Sequence, residues 1–418
     1  DGAWRRFVER VAPLKLKIFG KFWIPVRKKI HACEYGPIYK RKGRHYALRF
    51  PAYTDIRAAE QWYRMNKARN FTEFKAALRM EAFPMFNVVY ADKDDNLMLV
   101  SEGKYPLREP GVDWTNPIEG TSSRFKWTRL IPWEQKPRVE NPECGYIYNA
   151  NQTPLHATCE NENWNRPFCG LQRFEYNRGN RFKEMFDELE GKPIGREDFL
   201  RMKFDPSYSK NGRYARNYAA LYRLDPNKYP GLAYAINKFK RWNFRGDVDN
   251  RDAALALVTH YFLEKITRTS VALQMILNDT ITEAEAVAAL KKAQRFLLKH
   301  HRTLDVPLGA VQRHRRGNVD LPLDGLLEVP RAIHVGAQKP RKGRFRAHGG
   351  DCFIMYVTWD KDRKQILETV NCYGTSARAQ SPHYTDQMTM FVRHQTKPAT
   401  FDKNEIFRRA ERVYRLGG

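Results

Sequence analysis

The stretch Asn141-Pro-Glu-Cys-Gly-Tyr-Ile-Tyr-Asn149-Ala-Asn151-Gln-Thr-Pro154 is the most informative in this chain. Tyr146, Ile147 and Tyr148 predict a short strand that runs into asparagines on alternate positions. Residues two apart on an extended chain point the same way, so Asn149 and Asn151 are expected on one side of the strand end. A carboxamide donates hydrogen bonds without carrying charge, which suits it to an oxyanion. Asparagine beside Thr-Pro also reads as an ordinary turn. The surrounding sequence decides between the two.

The 418 residues include 42% apolar and 13% aromatic side chains, ample for a packed core and unlike a disordered chain. No apolar run reaches the roughly 18 residues that a membrane-spanning helix needs, so no membrane span is expected. The formal charge of +27 attracts anions at long range. Its lysines and arginines are spread along the whole length, with modest clusters at Arg27 to Lys29, Lys40 to Arg44 and Lys339 to Arg346. That distribution reads as solvated surface. No specific nucleic-acid partner is expected, and any such affinity would be nonspecific and salt-sensitive. Leu14-Lys-Leu-Lys-Ile18 alternates as a half-buried strand with a solvated lysine face.

The first fifty residues read as strands, with a hairpin end at Tyr39 to Tyr46 where Gly43 supplies a positive φ. Helices are predicted over Ile56 to Met65 and Phe71 to Met80, the second capped by Asn70 with Glu73 three residues later. Phe86 to Ala91 and Leu97 to Ser101 pair across the turn Asp92-Lys-Asp-Asp-Asn96, which lacks the glycine and distant glutamate of a calcium loop. Residues 104–145 read as a long ordered loop in which Phe125, Trp127 and Trp133 pack. Residues 171–302 are mainly helical, with apolar periodicity over Phe182 to Leu189, Tyr214 to Leu224, Ala253 to Ile266 and Ile281 to His301. Residues 303–347 read as a basic loop. Beta structure returns at Cys352 to Trp359 and Ile366 to Tyr373, and Lys403 to Leu416 forms a terminal helix. The expected class is α+β, sheet-rich over 1–150 and 348–402, as a single region over 1–418.

None of the six cysteines has zinc-type spacing, and neither metal nor cofactor is expected. Cys159 and Cys169 enclose a short polar loop, and Cys352 and Cys372 flank the expected hairpin. Each pair is either a disulfide or two buried thiols.

The order of motifs along the chain resembles the penicillin acylase family of N-terminal-nucleophile amidohydrolases. The resemblance rests on Ala58-Ala-Glu-Gln-Trp62-Tyr-Arg-Met-Asn66-Lys-Ala-Arg-Asn70, Phe71 to Leu78, Pro84-Met-Phe-Asn87-Val-Val-Tyr90-Ala-Asp92 and Gly103 to Pro106. It continues through Gly111-Val-Asp-Trp114, Trp127, the asparagine segment, Gly349-Gly-Asp351, Tyr373-Gly-Thr-Ser376 and Ser381-Pro-His383-Tyr-Thr-Asp386-Gln387. It implies an αββα sandwich, here incomplete, with the middle helices as an elaboration. It also implies export to the periplasm or outside the cell, which favours the disulfides.

In that family a serine freed by self-cleavage attacks an N-acyl amide, its α-amino group or a water takes the proton, and a backbone N–H and an asparagine hold the oxyanion. The resemblance assigns the asparagine role to Asn151, the second of the pair, and the supporting arginine to Arg178, with Arg181 as the rival. His383 is expected to be a hydrogen-bonded framework residue, Gly349-Gly350 a tight turn, and Asp351 a buried partner. Asp1 lacks the hydroxyl or thiol of the nucleophile, so the chain is expected to be the C-terminal part of a β chain. Its partners would be the N-terminal β segment and the α chain of the same precursor, together with a small N-acyl amide such as a β-lactam or acyl-homoserine lactone. The alternative is a basic binding or scaffold protein that has lost catalysis.

Overall fold

A computed structural model describes residues 2 and 4–414, apart from 167, 169–170, 172–175, 271–272, 274–279 and 337. The residues fall into two compact units, one of 1–149 and 153–173, the other of 150–152 and 174–418.

The first unit opens with an antiparallel meander, β1 (Val8–Ile18), β2 (Phe22–Cys33), β3 (Gly36–Arg41) and β4 (Arg44–Ala47). Gly43 turns the chain between β3 and β4 at φ +79°. Leu14 and Leu16 are 40% and 50% exposed, so β1 is not the half-buried strand its alternation predicts. They do share a face with their cross-strand partners Val26 and Ile24. Alternation says which face of a strand is apolar, whereas a second layer decides whether that face is covered.

Helix α1 (Ala58–Lys67) and α2 (Phe71–Leu78) follow. Asn70 Oδ1 accepts from Glu73 N at 2.9 Å, and Glu73 Oε2 accepts from Arg69 N at 2.9 Å, the expected capping arrangement. Strands β5 (Phe86–Ala91), β6 (Leu97–Glu102) and β7 (Arg138–Glu140) form a sheet. Met98 and Val100 of β6 pack with Leu78 and Trp133, while Leu99 packs with Val139 and Ala157. The central strand is thus covered on both faces. Asp92 Oδ1 closes the acidic turn by accepting from Asp94 N at 2.9 Å and Asn96 N at 3.0 Å.

Where β6 ends, Glu102 is wholly buried and its Oε1 accepts from Gln61 Nε2 at 2.8 Å. Burial pushes its carboxyl up to about 7, against the opposing pull of the Gln61 hydrogen bond and Lys136. Because the folded value lies above the ordinary value of 4.5, the stability tied to this proton is complete below pH 4.5 and is lost as pH rises through about 7. The loss amounts to about 3 kcal/mol. Glu102→Gln is therefore expected to raise the melting temperature at pH 8 and to leave it nearly unchanged at pH 4. Equal shifts at both pH values would contradict this.

In the second unit, helix α3 (Asn177–Glu188) and α4 (Arg196–Lys203) precede a helical core. The helix expected over 214–224 is two, α5 (Arg213–Asn217) and α6 (Ala219–Arg223), separated by Tyr218 at φ −102° and ψ 12°. Aromatic rings pack closely around the break: the Tyr214 ring stacks on Tyr208 at 3.7 Å and Tyr218 at 4.9 Å, and its hydroxyl pairs with buried His260 at 2.7 Å. Next come α7 (Ala233–Arg241) and α8 (Ala253–Thr267), the latter buried continuously from Ala253 to His260. Helix Glu283–His301 contributes Ala286, Ala289, Leu290, Ala293 and Leu297 to the same core.

Residues 303–347, expected as loop, contain a short helix Leu308–Val311 and strands β8 (Gln312–Arg316), β9 (Val319–Pro322), β10 (Ile333–His334) and β11 (Phe345–Arg346). No apolar period marks β8 because it buries Gln312 and His314. The two N–H groups of Gln312 Nε2 are shared among three backbone carbonyls, those of Leu323, Asp324 and Gly325. Gly349–Gly350 is a strand, β12, paired with β10, and not a turn. Gly350 sits at φ +105°, where a Cβ would collide with the carbonyl oxygen of Ala332. Strands β13 (Phe353–Trp359), β14 (Gln365–Asn371) and β15 (Lys397–Ala399) form the last sheet, and the terminal helix stops at Arg409.

A second apolar core includes Phe204, Ile333, Ile354, Val370 and Phe391. Arg331 is fully buried in this region. Its guanidinium reaches Asp324 at 3.1 Å, Asp351 at 3.4 Å and the Phe391 carbonyl at 3.0 Å, and lies over the Phe391 ring at 4.3 Å. Lys203 donates to Asp351 at 2.8 Å, and His394 pairs with Asp324 at 2.7 Å. Burial alone would raise the Asp324 carboxyl, but Arg331 and His394 hold it below its ordinary value. Asp351, expected as a buried partner, is half-buried and pairs with Lys203 and Arg331.

Candidate active site

In the first unit, the segments on either side of residues 150–152 are tied to each other. Tyr148 N donates to Ala157 O at 2.9 Å, and Thr158 Oγ1 to Tyr146 O at 2.8 Å. Asn163 Oδ1 accepts from Ala157 N at 2.7 Å and Thr158 N at 3.1 Å. Tyr146–Tyr148 is therefore tied to a returning segment, but it joins no strand ladder, contrary to the expected strand. The doubling back brings Cys144 to Cys159, and these two form a disulfide. That corrects the expected Cys159–Cys169 pair; Cys169 itself lies outside the described residues. Cys352 and Cys372 do face each other, Cys372 N donating to Cys352 O at 2.8 Å, yet both are free thiols. Spacing along a chain says little about thiol pairing when the intervening residues fold back on themselves. Closing the 15-residue separation between Cys144 and Cys159 should contribute about 3 kcal/mol. Cys144→Ser is expected to lower the melting temperature of the oxidised protein, and a reductant should do the same to wild type alone.

Ala150, Asn151 and Gln152 belong to the second unit. Gln152 Oε1 accepts from Ala150 N, bracketing Asn151, which is exposed at φ +66°. This left-handed conformation suits asparagine and breaks the simple alternation with Asn149. Arg178, in the first turn of α3, donates from Nη2 to Asn151 Oδ1 at 3.1 Å. Of the two arginines that the sequence offers, Arg178 is the one that meets Asn151. Arg181 pairs with Asp205 at 3.1 Å, Glu184 at 3.2 Å and Glu188 at 2.9 Å.

A cation in the first turn of a helix opposes the helix dipole, and α3 has no acidic residue there to offset it. The offset comes from elsewhere: Arg178 Nε lies 3.5 Å from Glu328 Oε2, with side chains 19% and 6% exposed. Neighbouring Asn177, fully buried, donates to the Glu328 carbonyl at 2.7 Å and accepts from Ser209 N at 3.1 Å. Burial, then the Glu328 charge, raises the Tyr176 hydroxyl, while burial lowers the His334 imidazole. Sequence reasoning missed Glu328 and Asn177. The one signal available was an acid set among apolar residues, Leu326-Leu-Glu328-Val-Pro330, in a stretch read as loop.

His383 pairs with Asp386 at 2.8 Å and Glu411 at 3.0 Å, a hydrogen-bonded framework role as expected. Phe125 and Trp127 both pack near Trp114, and Trp133 joins the core of the first unit. Cys144, Cys159 and Glu162 have metal-ligand spacing, but the disulfide uses both thiols.

The arrangement is a mixed α+β chain in which a guanidinium fixes an exposed carboxamide. This chain belongs to the penicillin amidase family, whose sequence profile matches residues 1–408. It is 33% identical to penicillin G acylase from Escherichia coli over 132 residues, 32% of this chain but only 14% of that protein's length. The thermostable penicillin G acylase from Alcaligenes faecalis, solved in an orthorhombic form, shares the fold, with a TM-score of 0.65 at 15% identity. That likeness covers 100% of this chain and 82% of the other.

Proposed function

We propose that this chain is the C-terminal part of an amidohydrolase that cleaves an N-acyl amide into a carboxylate and an amine. The observation that carries the proposal is the hydrogen bond from Arg178 Nη2 to Asn151 Oδ1. An amide held by its oxygen has a defined sense, with Nδ2 turned away from the arginine. Nδ2 is then the donor to the tetrahedral oxyanion, a group that needs no reorganisation as charge develops. The attacking serine lies on polypeptide outside these residues, together with the backbone donor and much of the acyl pocket. The partners are the N-terminal β segment and the α chain of the same precursor.

A periplasmic or secreted location is supported by the Cys144–Cys159 disulfide, since such bonds persist in oxidising compartments. Among the described residues, no helix is long and apolar enough to cross a membrane. Acyl specificity is open between β-lactam side-chain amides, acyl-homoserine lactones and other N-acyl amides. The test is hydrolysis of a panel of these by the matured full-length precursor, with Asn151→Ala as the control. A precursor that cleaves none of them, yet binds an anionic polymer in a salt-dependent way, would favour a noncatalytic basic scaffold instead.

A further inference from the structure

Glu328 occupies a position that its residue type does not favour. Its φ is +64°, in the left-handed region where glycine and asparagine are the usual occupants, and its side chain is almost completely buried. Burying a carboxylate is costly unless it is paired, and the cation beside it is Arg178 Nε at 3.5 Å. Glu328 Oε2 and Arg178 Nε are both buried and have no hydrogen-bond partner among the described residues, so the contact between them is chiefly electrostatic.

The backbone around Glu328 is pinned on several sides. Leu327 O accepts from Tyr208 Oη at 2.7 Å, Glu328 O from Asn177 Nδ2 at 2.7 Å, and Arg331 N donates to Asp205 O at 2.8 Å. A strained backbone held this firmly delivers one side chain to a fixed place.

We propose that Glu328 is a positioning residue for acyl transfer: its carboxylate holds the Arg178 guanidinium, which in turn holds Asn151 Oδ1 and so aims Nδ2. Glu328 touches no reacting atom in this scheme. The inference rests on the oxyanion role proposed for Asn151. Without the carboxylate, Arg178 keeps its charge at the N-terminus of α3, where the helix dipole repels it, and the Asn151 amide loses its fixed sense.

The test uses the matured full-length enzyme, with kcat taken per titrated active site. Glu328→Gln preserves shape and removes charge. It is expected to lower kcat roughly 10- to 100-fold with little change in KM, less than the ~10²–10³ for loss of an oxyanion donor. Glu328→Asp keeps the charge and should recover part of kcat. Arg178→Gln and Glu328→Gln should be non-additive, because they break the same chain of contacts. A wild-type kcat in Glu328→Gln, or full additivity with Arg178→Gln, overturns the proposal. Failure of both Glu328 variants to fold and mature would assign the residue to folding and overturn it as well. If Asn151→Ala is fully active, the oxyanion role itself is wrong; if Asn151→Ala is dead while Glu328→Gln is normal, only the positioning role is lost.

Discussion

Asn151→Ala in the full-length precursor is expected to lower kcat by about 10²–10³ while the protein still folds and matures. The direction follows from what the substitution removes. The carboxamide of Asn151 is exposed, so its loss leaves no buried cavity, and it takes away the acceptor of the Arg178 bond at 3.1 Å. Substrate binds before charge develops, so KM should move far less than kcat. Asn151→Asp is a sharper control: it is nearly isosteric but places an acceptor where a donor is required, and should be at least as damaging. Steady-state kinetics on active-site-titrated enzyme decide the matter. Near-normal kcat in Asn151→Ala would remove the catalytic role from this loop.

Arg331→Ala is expected to destabilise the second unit by about 3–5 kcal/mol. Arg331 is fully buried between Asp324, Asp351 and the Phe391 carbonyl, and its removal strands two carboxylates. His394 and Lys203 still contact those acids, which places the effect toward the lower end of that range. Asp324 is held ionised chiefly against burial by Arg331, so its carboxyl should titrate upward in the variant, and the destabilisation should shrink as pH falls. Adding Asp324→Asn and Asp351→Asn removes the stranded charges and should recover much of the loss. Urea unfolding at pH 5 and pH 8 measures both effects. A change below about 1 kcal/mol would mean that the ion network contributes little beyond packing.

Much of this was legible in the chain itself. The Asn70 cap, the β5–β6 pairing around the Asp92 turn and the long helices are local patterns, set by residues within a few positions of one another. Asn151 and Arg178 were singled out through the order of motifs, and the structure brings their side chains to 3.1 Å of each other. Three features escaped for physical reasons. Strand β8 buries Gln312 and His314, so it has no apolar period to read. Helices α5 and α6 part at Tyr218, whose ring lies against that of His260, a residue far along the chain. Cys144 finds Cys159 only because the asparagine loop folds back.

By sequence alone the chain settled its class and its helical middle, since propensity and periodicity act over short range, and the order of its motifs offered Asn151 and Arg178 as candidates. Only the tertiary structure decided which arginine reaches Asn151 and that a buried glutamate more than a hundred positions away backs it. Charges meet through space, and an ion pair between a helix start and a remote loop leaves no period in the sequence to announce it.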